Sequence, residues 1–402
     1  MNYSSKRTAN FHYAIRNLVR AAEARHRAGR DVIYLNIGDP QRYGFRPPEY
    51  VVEAVTRALR DNFTGYAPSA GLPEARAAVA AYATGLGAPT SADDVVITSG
   101  ASEAADLVLT ALVDEGDEVL IPAPGYSIYT ALVNKLGAVP RYYRLDDSQV
   151  WLPSLDEVRS LINERTRAII LINPNNPTGS VIPDEMTAGF LELAARHNLL
   201  VIADEVYREL CFEEQPAPAS ALAYEMGLPL VTLESLSKTH QVPGWRVGWL
   251  RYTRPEKLRG LMTGVNRLAD GRLCSPTPAQ YAVRPALEDD RQFLNDFTGE
   301  IRRRRDFALR CVRDIEGLSC VTPRAAFYMM VQASDAIGQD DEKFVLDILE
   351  ETGVLVVHGS GFDADARQGY FRLVYLASEE TLDLAFSAIR RYLETCCVMR
   401  ET

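Results

Sequence analysis

The apolar run Ala168-Ile169-Ile170-Leu171-Ile172 is followed by the turn Asn173-Pro174-Asn175-Asn176-Pro177-Thr178-Gly179, a helical pattern over Asp184–His197 and a second apolar run, Leu199–Ala203. Two short runs rich in Ile, Leu and Val, joined by a stretch long enough for a crossover helix, predict strand, helix and strand with parallel pairing. The rhythm extends in both directions. Val95–Thr98, Val119–Ile121, Val231–Leu233 and Val247–Leu250 read as further buried strands, and Ser102–Val113, Ile128–Leu136 and Leu155–Ile162 as helices between them. Strands alternating with helices give an α/β fold, a mostly parallel sheet covered on both faces. Ligands of such sheets bind outside the carboxyl ends of the strands, so the polar residues just past each run are the first candidates for a site.

The C-terminal part changes rhythm. Phe327–Val331, Val354–His358 and Phe371–Leu376 read as strands, with helices at Asp341–Thr352 and Thr381–Tyr392, a smaller α+β unit joined near Pro285. At 402 residues the chain exceeds the ~250–300 at which a single core stops growing, so two domains are expected. On sequence grounds the helix and strand up to about Phe45 can pack with either.

Composition removes several classes of function. No apolar run approaches the ~18 residues of a membrane span, and the polar stretch Met1–Asn10 has no secretory pattern. A net charge of −11, spread along the chain, argues against nucleic acid or anionic membranes as partners. The densest basic stretch, Arg302–Arg305, continues into apolar residues at helical spacing and reads as a solvated helix face. The six cysteines form no Cys-x-x-Cys pair and the five histidines show no ligand spacing, which points to reduced thiols in a cytoplasmic protein and to no metal site.

The segment Ser235-Leu236-Ser237-Lys238-Thr239-His240-Gln241-Val242-Pro243-Gly244-Trp245-Arg246-Val247-Gly248 carries the strongest chemistry. A lone lysine is ordinarily a solvated surface group. This one follows a buried strand, stands between small hydroxyl residues and has an arginine eight positions on. Ser235 and the Arg246 fork suit one phosphate, leaving the Lys238 amine to condense with an aldehyde. Three other turns lie on the same sheet edge. Asn173–Gly179 alone is a Pro/Asn turn, and Asp204 in Ala203-Asp204-Glu205-Val206-Tyr207 alone is a helix cap or surface acid. Gly100-Ala101-Ser102, between a strand and a helix, offers backbone N–H groups to a phosphate. Each is weak alone; four in this order on one edge are strong.

With these segments the chain resembles the class I/II aminotransferases, fold-type I enzymes that use pyridoxal 5′-phosphate (PLP), over essentially its whole length. The resemblance implies a large PLP-binding domain over 48–286 and a small domain built from 1–47 and 287–402. It makes Lys238 the Schiff-base lysine and proton shuttle, and gives the phosphate to Ser235, Ser237, Arg246 and the Gly100, Ala101 and Ser102 turn. Asp204 pairs with the ring nitrogen, Tyr207 and Asn176 with the phenolic oxygen, and Tyr126 stacks on the ring. A carboxylate beside the ring nitrogen keeps it protonated, which suits an electron sink. Arg372, a charge inside the apolar pattern Phe371-Arg372-Leu373-Val374, must be paired or functional. By resemblance it grips the substrate α-carboxylate, helped by Asn176 and Gly38. Tyr66 resembles the tyrosine that reaches the phosphate of a neighbouring subunit, which implies a homodimer with shared active sites.

Tyr13-Ala14-Ile15-Arg16, Leu35-Asn36-Ile37-Gly38, Gly44-Phe45, Arg272-Leu273-Cys274 and Pro278-Ala279-Gln280 narrow the resemblance to bacterial alanine transaminases of the glutamate–pyruvate type. The substrates implied are amino acids and 2-oxo acids: alanine and glutamate, pyruvate and 2-oxoglutarate. Departures at Asp39, Gln41-Arg42-Tyr43, Ser99 and Ala101 leave an aspartate, methionine or aromatic aminotransferase, or a related PLP C–S lyase, as alternatives. A PLP-binding transcriptional regulator would need an added DNA-binding domain, and the transferase-like pattern already begins within about the first fifteen residues. Tyr13 and Arg16 share one helix face. In enzymes of similar pattern this segment crosses the active-site mouth, so Arg16 is expected to meet a distal carboxylate, with Arg267 and Arg272 as rivals.

Overall fold

The computed structural model describes residues 15–288, 291–333 and 340–401, of which 15, 16 and 396–401 are described as backbone only. The first strand, β1 (Ile33–Tyr34), precedes an eight-stranded sheet. Its members are β2 (Val95–Thr98), β3 (Glu118–Ala123), β4 (Val139–Asp146), β5 (Leu152–Pro153), β6 (Thr166–Ile172), β7 (Leu200–Asp204), β8 (Leu230–Ser235) and β9 (Gly248–Thr253). They lie in the order β2-β9-β8-β7-β6-β3-β4-β5. The run from β8 to β4 is parallel, while β9 is antiparallel to β8 and β2, and β5 to β4.

Because successive side chains of a strand point to opposite faces, one apolar run can serve two cores. Ile170 and Ile172 join Val108, Tyr129 and Val133 on one side. Ile169 and Leu171 join Val158, Phe190 and Leu191 on the other. The predicted strands and helices of this sheet are present to within a few residues at their ends. β4 escaped the reading of apolar runs because little beyond the two-residue β5 flanks it. Tyr143 and Leu145 point inward while Arg141 and Arg144 stay in water, the mixed pattern of a strand near a sheet edge.

The small domain holds β10 (Ser319–Cys320), β11 (Tyr328–Gln332), β12 (Val354–Leu355), β13 (Val357–His358) and β14 (Tyr370–Val374). β10-β11-β14-β13 form an antiparallel sheet. The single strand expected over Val354–His358 is divided at Val356: β12 pairs in parallel with β1, and β13 joins the small sheet. This division places the N-terminal segment. Leu18, Ala22 and Leu35 pack with Phe344, Val345 and Phe371 of the small domain, and Arg30 bridges Glu350 at 2.6 Å. Pro285 sits inside the short helix Val283–Leu287, whose Val283 and Ala286 pack with Val51 and Val79. The apolar packing changes core only in the helix Gln292–Arg313, through Leu294, Phe297 and Ile301.

Candidate active site

The ends of β6, β7 and β8 open into one cavity of about 570 Å³, the place the parallel topology prescribes. Asp204 is the last residue of β7 and is buried. Its Oδ2 accepts from the Tyr129 hydroxyl at 2.6 Å, and its Oδ1 from the Val206 amide at 3.2 Å. Burial pushes this carboxyl above the usual carboxylate range, while the two donors pull it back.

Ser235 ends β8 and caps the four-residue helix Leu236–Thr239, its Oγ accepting from the Ser237 amide at 3.0 Å. That turn carries Lys238 into the cavity, where Nζ donates to the Gly38 carbonyl at 2.8 Å. Burial lowers the Lys238 pKa to about 8; Arg372 and Arg246 push the same way and Asp39 opposes them. At Gly38 a Cβ would stand 2.1 Å from the Tyr328 hydroxyl, so only glycine lets this segment approach.

Across the cavity begins the helix Ala101–Leu112, whose first amides belong to Ala101 and Ser102. Gly100 precedes it at φ 84°, and a Cβ there would meet the Arg246 guanidinium at 2.4 Å. Arg246 also has positive φ, 56°, and donates to the carbonyls of Ser99 at 2.9 Å and Pro243 at 3.0 Å. An arginine held by carbonyls, helix amides and the hydroxyls of Ser235 and Ser237 compose a receptor for a phosphate.

Arg372, on β14, enters from the small domain. Nη1 donates to Asn176 Oδ1 at 3.1 Å, Nη2 donates to the Asn36 carbonyl, and the guanidinium lies over the rings of Phe362 and Tyr328, at 4.4 and 4.6 Å. The Tyr328 hydroxyl shares a 2.7 Å hydrogen bond with that of Tyr207. A buried planar fork clamped this way suits a carboxylate.

Twelve of the residues proposed from sequence line this single cavity: Gly38, Ala101, Ser102, Tyr126, Asn176, Asp204, Tyr207, Ser235, Ser237, Lys238, Arg246 and Arg372. Gly100 stands behind Arg246. Tyr66 does not line it and is 85% exposed. Tyr13 lies outside the described residues. Arg16 belongs to the helix Ile15–Arg27, of which Val19, Arg20 and Glu23 line the cavity, but its side chain lies outside the described residues. Arg267 is exposed, and Arg272 is tied to Glu103 at 3.2 Å and to the Ile97 carbonyl at 2.8 Å; neither lines the cavity. No metal-ligand cluster occurs among the described residues.

Sequence reasoning missed Tyr129, Tyr328, Phe362 and Arg20. Tyr129 and Tyr328 read as core aromatics within a helix and a strand, and nothing in their spacing sets them apart. Asn36, a polar residue between Leu35 and Ile37, did leave a signal.

PLP fits these residues: a buried carboxylate with two neutral donors suits a cationic ring N–H, an amine of lowered pKa suits condensation with an aldehyde, and the donor cluster suits a phosphate. The comparisons agree. Residues 30–389 match the family model of aminotransferase class I and II. Glutamate-pyruvate aminotransferase AlaA of Escherichia coli K12 is 36% identical over 398 residues, covering 97% of each chain. The alanine aminotransferase of Mycobacterium tuberculosis H37Rv is 36% identical over 391 residues, 95% of this chain and 90% of that one. The solved alanine aminotransferase from Pyrococcus furiosus superposes with a TM-score of 0.94 at 36% identity, over 98% of this chain and 100% of the other.

Proposed function

The chain belongs to the class I and II aminotransferase family and is a PLP-dependent aminotransferase; we propose that it moves amino groups between alanine and glutamate, with pyruvate and 2-oxoglutarate as their 2-oxo acids, in two half-reactions on one site. The observation that carries this reading is the meeting, in one cavity, of an amine with pKa lowered to about 8, a buried carboxylate and two arginine forks. Relatives matched over nearly their whole length and named for alanine and glutamate–pyruvate transfer support the substrate pair.

Bound there, PLP supplies an aldehyde that captures the substrate amine and a protonated ring that accepts the electron pair freed at Cα. The protein does the rest. Arg246, Ser235, Ser237 and the amides of Ala101 and Ser102 would hold the phosphate, and Tyr126 would cover the ring. Asp204 would keep the proton on the ring nitrogen, and the Tyr129 hydrogen bond favours its ionised form against the effect of burial. Tyr207 and Asn176 would hydrogen-bond the phenolic oxygen. Arg372 binds the α-carboxylate and so orients Cα. Lys238, an amine that burial biases toward its neutral form, would take the proton from Cα and deliver it to the cofactor.

The domains implied by the resemblance, 48–286 and 1–47 with 287–402, would serve as cofactor and substrate domains. The acting species is a homodimer. Leu59, Phe63, Tyr66 and Leu273 are 48–85% exposed, and Phe63 stacks on Tyr281 while the Ala67 amide donates to Thr277, so the segment around Tyr66 shares one surface with residues 277–281. A second copy would cover that surface and bring Tyr66 to its phosphate. The four cysteines described are free thiols, as in a cytoplasmic protein. No described helix is long and apolar enough to cross a membrane.

Purified protein loaded with PLP and offered a panel of amino acids, with pyruvate and 2-oxoglutarate as acceptors, tests the substrate pair. Alanine with 2-oxoglutarate, and glutamate with pyruvate, are expected to lead. A clear preference for aspartate or aromatic donors would replace the pair.

A further inference from the structure

Between β4 and β5 the chain makes a tight loop, Asp147–Trp151, in which two consecutive non-glycine residues have positive φ: Val150 at 53° and Trp151 at 62°. For a β-branched residue this region is costly, and such conformations persist only where the surroundings over-determine them. Here they do. Asp146 Oδ1 accepts from the Ser148 amide at 2.9 Å and hydroxyl at 2.8 Å, and the Trp151 amide donates back to the Asp146 carbonyl at 2.7 Å.

The loop turns Trp151 away from water and into the seam between the domains. Trp151 is buried and packs edge-on against Tyr370 of β14, ring centres 5.0 Å apart. The Tyr370 hydroxyl donates to Asp147 Oδ2. Tyr370 stands two residues before Arg372, so both project from the same face of β14, about 7 Å apart along the strand. The packing agrees: Tyr370 and Met330, the latter opposite Arg372, lie in the large domain's apolar cluster, whereas Phe371 and Leu373 lie in the small domain's core.

Arg372 is held from its own domain and the N-terminal segment by the rings of Tyr328 and Phe362 and the Asn36 carbonyl. Asn176 is its hydrogen-bonded partner on the large domain. Where its fork stands over the cofactor domain therefore depends on how β14 is seated. We infer that Asp147 and Trp151 act through Tyr370 as positioning residues for Arg372, a strut that sets the α-carboxylate clamp over the cavity. A misplacement of about 1 Å in such a group is enough to cost activity. The inference rests on the reading of Arg372 as the carboxylate ligand.

Tyr370→Phe removes the bond to Asp147 and keeps the ring. It should raise KM about fivefold for every amino acid alike, and the Kd of propionate, a carboxylate with no amine, by the same factor, roughly the net worth of one hydrogen bond. Turnover at saturation and the visible spectrum of the loaded enzyme should stay within twofold or unchanged. Asp147→Asn should give a smaller shift in the same direction. In an Arg372→Ala background, Tyr370→Phe should do nothing more, because the group it positions is gone. A full fivefold loss in that background would overturn the strut while leaving Arg372 in its role, as would a lowered melting temperature with KM unmoved. Near-normal KM for Arg372→Ala alone would remove Arg372 from the site and the strut with it.

Discussion

The Tyr129 hydroxyl and Asp204 Oδ2 form a 2.6 Å hydrogen bond, both groups buried and with Tyr129 as donor. Burial alone drives Asp204 toward its neutral form; this bond and the Val206 amide favour the carboxylate. Asp204→Asn should lower the chemical step by at least about a hundredfold while changing PLP affinity far less. Tyr129→Phe should be milder and pH-dependent: losing a donor raises the Asp204 pKa, so the acid limb of the rate profile moves to higher pH. An unchanged acid limb would separate Tyr129 from Asp204 function.

Lys238→Ala should end turnover and remove the visible absorbance of lysine-linked cofactor, in a protein whose circular dichroism matches the parent. Phosphate-side contacts remain, so PLP should still bind reversibly. Wild-type absorbance and rate in this variant would overturn the central assignment.

Lys238 also makes the cofactor-free protein sensitive to pH. Its folded pKa, about 8, lies below the ordinary 10.5. Below pH 8 both folded and unfolded chains carry the proton, and the cost of burying the ammonium is present in full. Between 8 and 10.5 the unfolded chain binds more protons, so stability rises with pH across that window. Cofactor-free Lys238→Met should therefore melt above the cofactor-free parent at pH 7, with the gap closing toward pH 10. The rate of PLP capture by the parent should rise about tenfold per unit up to pH 8 and then level. A rise continuing past pH 10 would mean that the amine is not shielded from water.

How far the sequence carried the reading depended on the kind of signal. Asp204, Lys238 and the Gly100–Ser102 turn were legible because parallel strands deliver their carboxyl ends to one edge, so order along the chain became proximity. Tyr129 and Tyr328 were not, because an aromatic that donates a hydrogen bond to the site has the same spacing as one that merely fills the core. β4 was hidden by its arginines, and the division at Val356 by the absence of any glycine or proline within Val354–His358; only the partners, β1 and β14, tell the halves apart.

Arg372→Ala removes a buried two-pronged contact and should cost about 3–5 kcal/mol, two to four powers of ten in kcat/KM, for all amino acids. Arg372→Lys should recover only part, since a point charge reproduces neither the fork nor the stacking on Phe362 and Tyr328. Full recovery by lysine would show that charge alone suffices.

Glutamate and 2-oxoglutarate carry a second carboxylate that alanine and pyruvate lack, so one half-reaction needs a cation that the other does not. Among the described residues the cavity is lined by four cations: Arg20, Lys238, Arg246 and Arg372. Three are proposed above for the cofactor or the α-carboxylate. Arg20 lies on the N-terminal helix, one turn after Arg16 on the same face, with Glu23 three positions on. This helix edge is expected to meet the distal carboxylate. Arg20→Ala and Arg16→Ala, made separately, should show which residue does so, by lowering the glutamate half-reaction at least about tenfold, ~1.4 kcal/mol, while the alanine half-reaction barely changes. Glu23→Gln should act with the opposite sign, because removing a like charge from the cavity wall favours the dicarboxylate. Opposite signs from neighbours on one helix cannot arise from loosened packing, which would slow both half-reactions in every variant. If neither arginine matters, the rivals Arg267 and Arg272 of a second copy come next, and Arg267→Ala, whose side chain is exposed in this protomer, is the variant that tests them.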